Sequence, residues 1–304
     1  MPSFALKVIR PILALGGKLA PRATSRLAFA LFCATPSRRP AGDKARQVHA
    51  EGRKRLSLAQ ATPFPVGKSN VMAYRFHGRG AEPRRRFLIV HGWGSAAAYI
   101  SALAQGLAAD GAEVIVLDFP GHGQSSGRGL HMRMAVDAMV EAERRFGPFD
   151  GAVGHSFGGA SLMLAAGGVM REAGRISPRR LVVIGAPTRI EWLFDAFARQ
   201  LGLSAAIKHG LIRHAEEVAG ASLADFDTVR VADRLGTPLL VVHAEDDKEV
   251  DADHARRYAA VSSARIHWAN GFGHRRIISA PEVIETIRGF LTDEPAEGSR
   301  SSAA

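Results

Sequence analysis

The chain has 304 residues, 40 Lys+Arg against 29 Asp+Glu, a formal charge of +11 and 46% apolar residues. An apolar content of that size offsets ordering entropy by burial, so a wholly disordered chain is excluded, and the length admits one large domain or two ordinary ones. The single cysteine, Cys33, excludes an internal disulfide framework and a cysteine-based zinc cluster, and fits a reducing, cytoplasmic compartment.

The charge is concentrated at the start. Residues 1–42 carry Lys7, Arg10, Lys18, Arg22, Arg26, Arg38 and Arg39 and no acid, leaving +4 for the rest. A basic arm on a nearly balanced body points to an anionic surface touched by the arm, not to nucleic acid. Phe4, Val8, Ile12, Leu15 and Leu19 recur at helical spacing, with Arg10 opposite and Lys7 and Lys18 on the flanks. This predicts a basic amphipathic helical segment over residues 1–60, kinked or restarted at Pro11. Two readings stand for residues 1–30. The stripe lies in a membrane interface, at the inner face, or it packs on the protein's own body, as amphipathic helices generally do. The apolar runs 12–17 and 27–34 fall short of the roughly 20 residues of a membrane span. No small-residue cleavage site marks a secretory signal.

The body alternates strands and helices. Continuous apolar runs at Phe87–Val90, Val114–Leu117, Gly151–Val153, Leu181–Ile184 and Leu239–Val242 read as strands buried on both faces, with Arg265–Trp268 as the last. Between them helices are predicted over Ala97–Asp110, Leu130–Phe146, Phe157–Arg171 and Ala252–Val261, and a final one over Pro281–Leu291. Such alternation implies a mainly parallel, doubly wound sheet with right-handed crossovers. The core is expected over residues 61–187 and 234–292, with a small polar tail, 293–304, disordered. Residues 188–233 break the alternation with two helical patterns and no strand. Placed at the carboxyl edge of the sheet, where ligands bind, they form a candidate lid with Phe194, Phe197, Leu201, Ile207 and Leu211 available to a pocket.

Chemistry collects at that edge. Gly154-His-Ser156-Phe-Gly158 lies between a strand and a helix, the context in which a sharp turn exposes a serine oxygen. Gly154, Gly158 and the following Gly159 are sites where a Cβ would strike the neighbouring strand or helix. His91-Gly92-Trp93-Gly94 ends an earlier strand, and the Trp93 and Phe157 amides are candidates for a two-donor oxyanion hole. Gly92 lets the loop turn, and His91 reads as a structural histidine bonded to loop backbone. Past Val242 stand two acids side by side, Asp246 and Asp247, either able to orient a histidine across the crevice. His274, following Gly271 and Gly273 in a loop those glycines make mobile, is the best general base of 12 histidines. His155 shapes the turn, and His267 sits in a strand. Arg84-Arg-Arg86 and Arg179-Arg180 precede strands and read as solvated strand ends.

The order Ser156, acid, His274, together with His91–Gly94, Asp118-Phe-Pro-Gly-His-Gly-Gln-Ser125, His243-x-x-x-Asp247-x-x-Val250 and Gly273-His274, resembles the α/β-hydrolase superfamily over residues 65–292. The resemblance implies an α/β-hydrolase fold. Its acid motif selects Asp247, although Ala244 stands for the usual Gly and Asp251 for a common Pro. It makes Asp118 structural. It also implies a Ser156–His274–Asp247 triad acting through an acyl-enzyme, with no metal or organic cofactor and a small-molecule acyl substrate. A carboxylic ester is the expected bond. A thioesterase, acyltransferase or perhydrolase would use the same triad, and a non-catalytic membrane- or partner-binding member of the fold is the alternative of another class.

Overall fold

The computed structural model describes residues 4–78 and 85–293, with side chains from Lys7 onward. Residues 294–304 of the predicted tail, Arg84 and the Phe4 side chain lie outside the described residues. Eight strands form one sheet: β1 (Gln60–Val66), β2 (Ser69–Phe76), β3 (Arg86–Val90), β4 (Glu113–Asp118), β5 (Gly151–His155), β6 (Arg180–Ile184), β7 (Leu239–His243) and β8 (Ala264–Trp268). Their order is β1-β2-β4-β3-β5-β6-β7-β8. Strands β3 to β8 are parallel to one another, and β1 and β2 run antiparallel at one edge.

Strands β3 to β7 are those the apolar runs predict and β8 is the expected last strand, and the register shows why the runs of β3 to β7 are unbroken. Leu88, Val90, Ile115 and Leu117 enter one apolar layer, while Phe87, Ile89, Val114 and Val116 enter the opposite one. Both faces are covered, so neither parity of residue can be polar. The first layer holds α5 (Met132–Phe146) and α6 (Phe157–Ala166), and the second holds α4 (Ala97–Ala108) and α12 (Pro281–Thr292).

The hairpin β1–β2 has no counterpart in the sequence reading. Its two-residue turn, Gly67-Lys68, places Gly67 at φ 54°. Strand β1 carries Pro63 and Pro65, paired with Met72 and Asn70. The amides of Met72 and Asn70 turn away from β1, donating to Ser125 Oγ and Ser126 Oγ at 2.8 Å. Both prolines therefore occupy non-hydrogen-bonded pairs, where the missing N–H would have pointed out from the sheet edge.

Three helices precede the sheet: α1 (Phe4–Leu19), α2 (Pro21–Phe32) and α3 (Asp43–Leu56). Helix α1 runs through Pro11 without restarting. It packs on the body, but not with the predicted stripe. Leu13 is buried, and a Cβ on Gly17 would lie 3.1 Å from Ile207, whereas Val8, Ile12, Leu15 and Leu19 are 45–75% exposed. The Arg10 guanidinium donates to the Gln200 carbonyl at 2.8 Å. Farther on, Arg38 donates to the carbonyls of Gly121, Gly123 and Gly127, fastening the connector to the loop after β4.

Between β6 and β7 lie α7 (Glu191–Leu201), α8 (Ala205–Ala219) and a helix the sequence reading did not contain, α9 (Thr228–Leu235). Helix α9 packs under α6, where a Cβ on Gly167 would overlap Val231, so it belongs with the core layer rather than with the two helices before it. The ends of the insertion are clamped together. Thr228 N–H donates to the Thr188 carbonyl at 3.1 Å, and Asp227 accepts from Arg189 and Arg257 at 3.0 and 2.6 Å. Two short helices complete the chain, α10 (Asp253–Arg256), continued as a 3-10 turn to Ala260, and α11 (Gly273–Arg276). The predicted helix 157–171 stops at Ala166, where Gly167 and Gly168 follow and Gly168 takes φ 59°. The arginines before the strands meet acids or carbonyls. Arg86 pairs with Glu113, Arg179 with Asp150, and Arg180 donates to the Asp293 carbonyl.

Candidate active site

Ser156 joins β5 to α6 with φ 51° and ψ −120°, and is the one non-glycine residue at positive φ among the described residues. That conformation costs on the order of 1–3 kcal/mol and persists only where the surroundings impose it. Here they do. Ser156 N–H donates to the Ile184 carbonyl at 2.8 Å, and Ser156 C=O accepts from Ala160 N–H at 3.1 Å, so both sides of the turn are tied. The turn is also packed without room for side chains. A Cβ on Gly154 would lie 2.6 Å from the Gly158 carbonyl oxygen, one on Gly158 2.5 Å from that of His91, and one on Gly159 2.7 Å from Ala186.

His274 lies in the first turn of α11, just after Gly273, and is buried. Its Nδ1 lies 2.7 Å from Asp247 Oδ2, so the imidazole donates there. The other carboxylate oxygen of Asp247 accepts from the amides of Glu249 and Val250 at 2.8 and 2.9 Å. Burial alone would push the Asp247 carboxyl up. The His274 bond and the two amides outweigh it and hold the carboxyl below its ordinary range. Asp246 is directed elsewhere and accepts from Gly271 N–H at 2.8 Å. The two adjacent acids thus divide the work: one meets the imidazole, the other fixes the loop that carries it. Ser156 and His274 line one cavity of about 1300 Å³.

Trp93 and Phe157 line the same cavity. Among the described residues neither of their backbone N–H groups has a hydrogen-bond partner. The neighbouring Gly94 N–H is taken, donating to His122 Nε2 at 3.0 Å. A Cβ on Gly92 would lie 3.0 Å from both Ser156 Cβ and His155 Nδ1, so the loop approaches the serine only as glycine. Trp93 is 38% exposed, and its ring meets Phe157 edge-on at 5.6 Å.

Three further histidines around the site, His91, His122 and His155, are held neutral by burial. His91 Nδ1–H donates to the Gly92 carbonyl at 2.8 Å while Nε2 accepts from Phe119 N–H at 3.1 Å, and burial pushes its pKa down to about 4. Burial likewise lowers His122 to about 4 and His155 to about 3. His155 donates from Nε2 to the His274 carbonyl at 2.9 Å. It therefore links the serine turn to the backbone of His274, a contact between residues 119 positions apart that nothing in the local sequence signals. Asp118 is buried and accepts from Ala97 N–H, Gln124 N–H and the Tyr74 hydroxyl at 2.7, 2.8 and 3.2 Å, a structural anchor beneath the site. Among the described residues no group of three or more His, Cys, Asp or Glu is arranged to hold a metal ion.

The cavity continues away from Ser156 between α7, α8 and α2. Phe194 and Phe197 of the insertion line it, but Leu201, Ile207 and Leu211 do not. They are buried in packing, with Ile207 set against α1. The opposite wall comes from the N-terminal segment, which the sequence reading did not place at the site. Phe32 stacks on Phe194 at 4.5 Å and meets Phe197 edge-on at 5.1 Å, with Phe29 beside it.

An eight-stranded, mostly parallel sheet with a strained serine at the carboxyl end of one strand and an acid–histidine pair at the ends of two others defines a class of α/β proteins. The family model described as "Alpha/beta hydrolase family" matches residues 87–286, and the chain belongs to that family. Over 214 residues it is 25% identical to human Protein ABHD12B, a match that takes in 66% of this chain and spans 58% of that protein's length. Its fold is similar to that of the Pyrococcus furiosus esterase Pf2001, with TM-score 0.58, 16% identity, 84% of this chain and 98% of that one. It is similar also to Est1E from Butyrivibrio proteoclasticus, solved with ferulic acid bound, with TM-score 0.56, 18% identity, 76% of this chain and 96% of that one.

Proposed function

We propose that the protein is a serine hydrolase that cleaves a carboxylic ester with an apolar acyl portion through a covalent acyl-enzyme. The observation that carries this reading is the strained Ser156 sharing one cavity with a His274 imidazole whose Nδ1 is bonded to Asp247 at 2.7 Å. With Nδ1–H committed to Asp247, the free Nε2 is the ring's basic nitrogen. It takes the proton as Ser156 Oγ attacks the acyl carbonyl, and Asp247 stabilises the imidazolium so formed. The Trp93 and Phe157 amides, without a partner among the described residues, are the donors for the oxyanion, assisted by the N-terminus of α6. His274 then returns the proton to the leaving alcohol, and water releases the acyl group by the same steps in reverse. Phe194, Phe197, Phe29 and Phe32 give the far end of the cavity an apolar lining, which favours an acyl chain there over a charged group.

The test is a panel of acyl esters, thioesters and amides of graded chain length, with Ser156→Ala as control, beside labelling by a fluorophosphonate. Wild type should label and turn over esters. Ser156→Ala should do neither, with turnover lower by several powers of ten. Labelling retained in Ser156→Ala, or none in folded wild type, removes the serine from this role.

A further inference from the structure

The predicted apolar stripe of α1 is presented to solvent while the opposite side of the same helix is used for packing. Val8, Ile12, Leu15 and Leu19 are 45%, 56%, 61% and 75% exposed. Single exposed leucines are ordinary, but four at helical spacing on one face are a patch. The helix is not there by default. Leu13 is buried, Gly17 lies against Ile207, and Arg10 holds the Gln200 carbonyl, so α1 is fixed to the insertion with this face outward. The cations sit beside the patch. Lys7 and Lys18 flank it on α1, Arg22 and Arg26 stand on the following helix α2, and all four are exposed. Residues 1–42 contain no acid to neutralise them.

We propose that this face is a docking surface for an anionic lipid bilayer, with α1 lying in the interface plane and the apolar side chains entering the headgroup–acyl boundary. An amphipathic helix with an apolar face and Lys/Arg beside it has the chemistry of interfacial binding, where burial and attraction to anionic lipid add. The length agrees, since no helix among the described residues is long and apolar enough to cross a membrane, so α1 can lie on a bilayer but not span it. A second copy of the chain fits the face poorly. A two-fold contact through this patch sets it against itself, and with it Lys7, Lys18, Arg22 and Arg26, with no acid on either α1 or α2 to meet them. The same two-helix arm supplies Phe29 and Phe32 to the cavity wall, so a bilayer held by α1 would lie against the element that borders the acyl site.

The experiment is co-sedimentation of the full chain with phosphatidylcholine vesicles, with and without about a third phosphatidylglycerol, at salt of about 0.05 M and about 0.5 M. Wild type should bind the anionic vesicles, at least about tenfold more weakly without phosphatidylglycerol or at the higher salt. Ile12→Glu/Leu15→Glu should weaken binding at least about tenfold with an unchanged melting temperature, because both side chains point into solvent. Lys7→Gln/Lys18→Gln leaves the apolar stripe intact and should reduce the salt dependence. Absence of wild-type binding, or binding indifferent to both pairs of substitutions, overturns the proposal. So does self-association that Ile12→Glu/Leu15→Glu dissolves in a protein that ignores vesicles. The readout needs no turnover, so failure of the hydrolase reading leaves this result standing, and the reverse.

Discussion

Asp246 and Asp247 are the sharpest contrast between neighbouring residues. They are chemically identical, yet one bonds the His274 ring and the other the Gly271 amide. Asp247→Asn keeps the volume but removes the charge that holds the imidazole tautomer, and should lower kcat by about three to four powers of ten with KM little changed. Asp246→Asn still offers an acceptor to Gly271 N–H and should cost less than about tenfold. Steady-state kinetics on one ester tells the two apart, and equal losses would mean that Asp246 has been misassigned as a loop anchor. Sequence alone left this pair undecided, because spacing from a strand end does not say which of two adjacent side chains turns inward. Only the family motif chose between them. The serine was legible for the opposite reason: its conformation excludes Cβ atoms at Gly154, Gly158 and Gly159, so the strain leaves a pattern of glycines. His155 left no such trace, since its bond to the His274 carbonyl depends on tertiary closure.

Among the elements, the buried strands were readable and the enclosing helices only in part. Strands β3 to β7 announce themselves because two apolar layers demand unbroken apolar runs, whereas β8, at the other edge, is partly exposed and carries Arg265 and His267. Strands β1 and β2 do not, because β1 is interrupted by Pro63 and Pro65 and β2 mixes buried residues with the exposed or half-buried Asn70, Met72 and Arg75. The insertion between β6 and β7 was recognised from its missing strand. Its partner across the cavity, α2, was not, because amphipathicity says that a helix has a buried face but not what that face covers. The stack of Phe32 on Phe194 joins those two elements over the cavity. Phe32→Ala should therefore enlarge the apolar end. We expect kcat/KM for long-chain esters to rise about tenfold relative to short-chain ones, beside a loss of stability on the order of 2 kcal/mol. An unchanged chain-length profile in a folded variant would place the acyl group elsewhere.

For the molecule as a whole, the buried neutral histidines set the response to acid. His91, His122 and His155 have folded pKa values of about 4, 4 and 3, against about 6.5 when unfolded. Between those limits the unfolded chain binds more protons than the folded one, so stability rises with pH. The contribution is full above about pH 6.5 and is lost as pH falls toward about 4, on the order of 1 kcal/mol per pH unit for each histidine. Urea denaturation from pH 7.5 down to about pH 4.5 should show this slope, and a flat profile would mean the imidazoles are charged in the native state. A last consequence follows from Pro63 and Pro65. A strand at the rim of a sheet is a template on which another polypeptide can grow, and two rings standing where donors would be leave such a guest without its first rungs. Two residues should thus oppose fibre-like stacking at this rim, and replacing both with threonine should seed aggregates, read as light scattering of a protein that keeps its ester turnover.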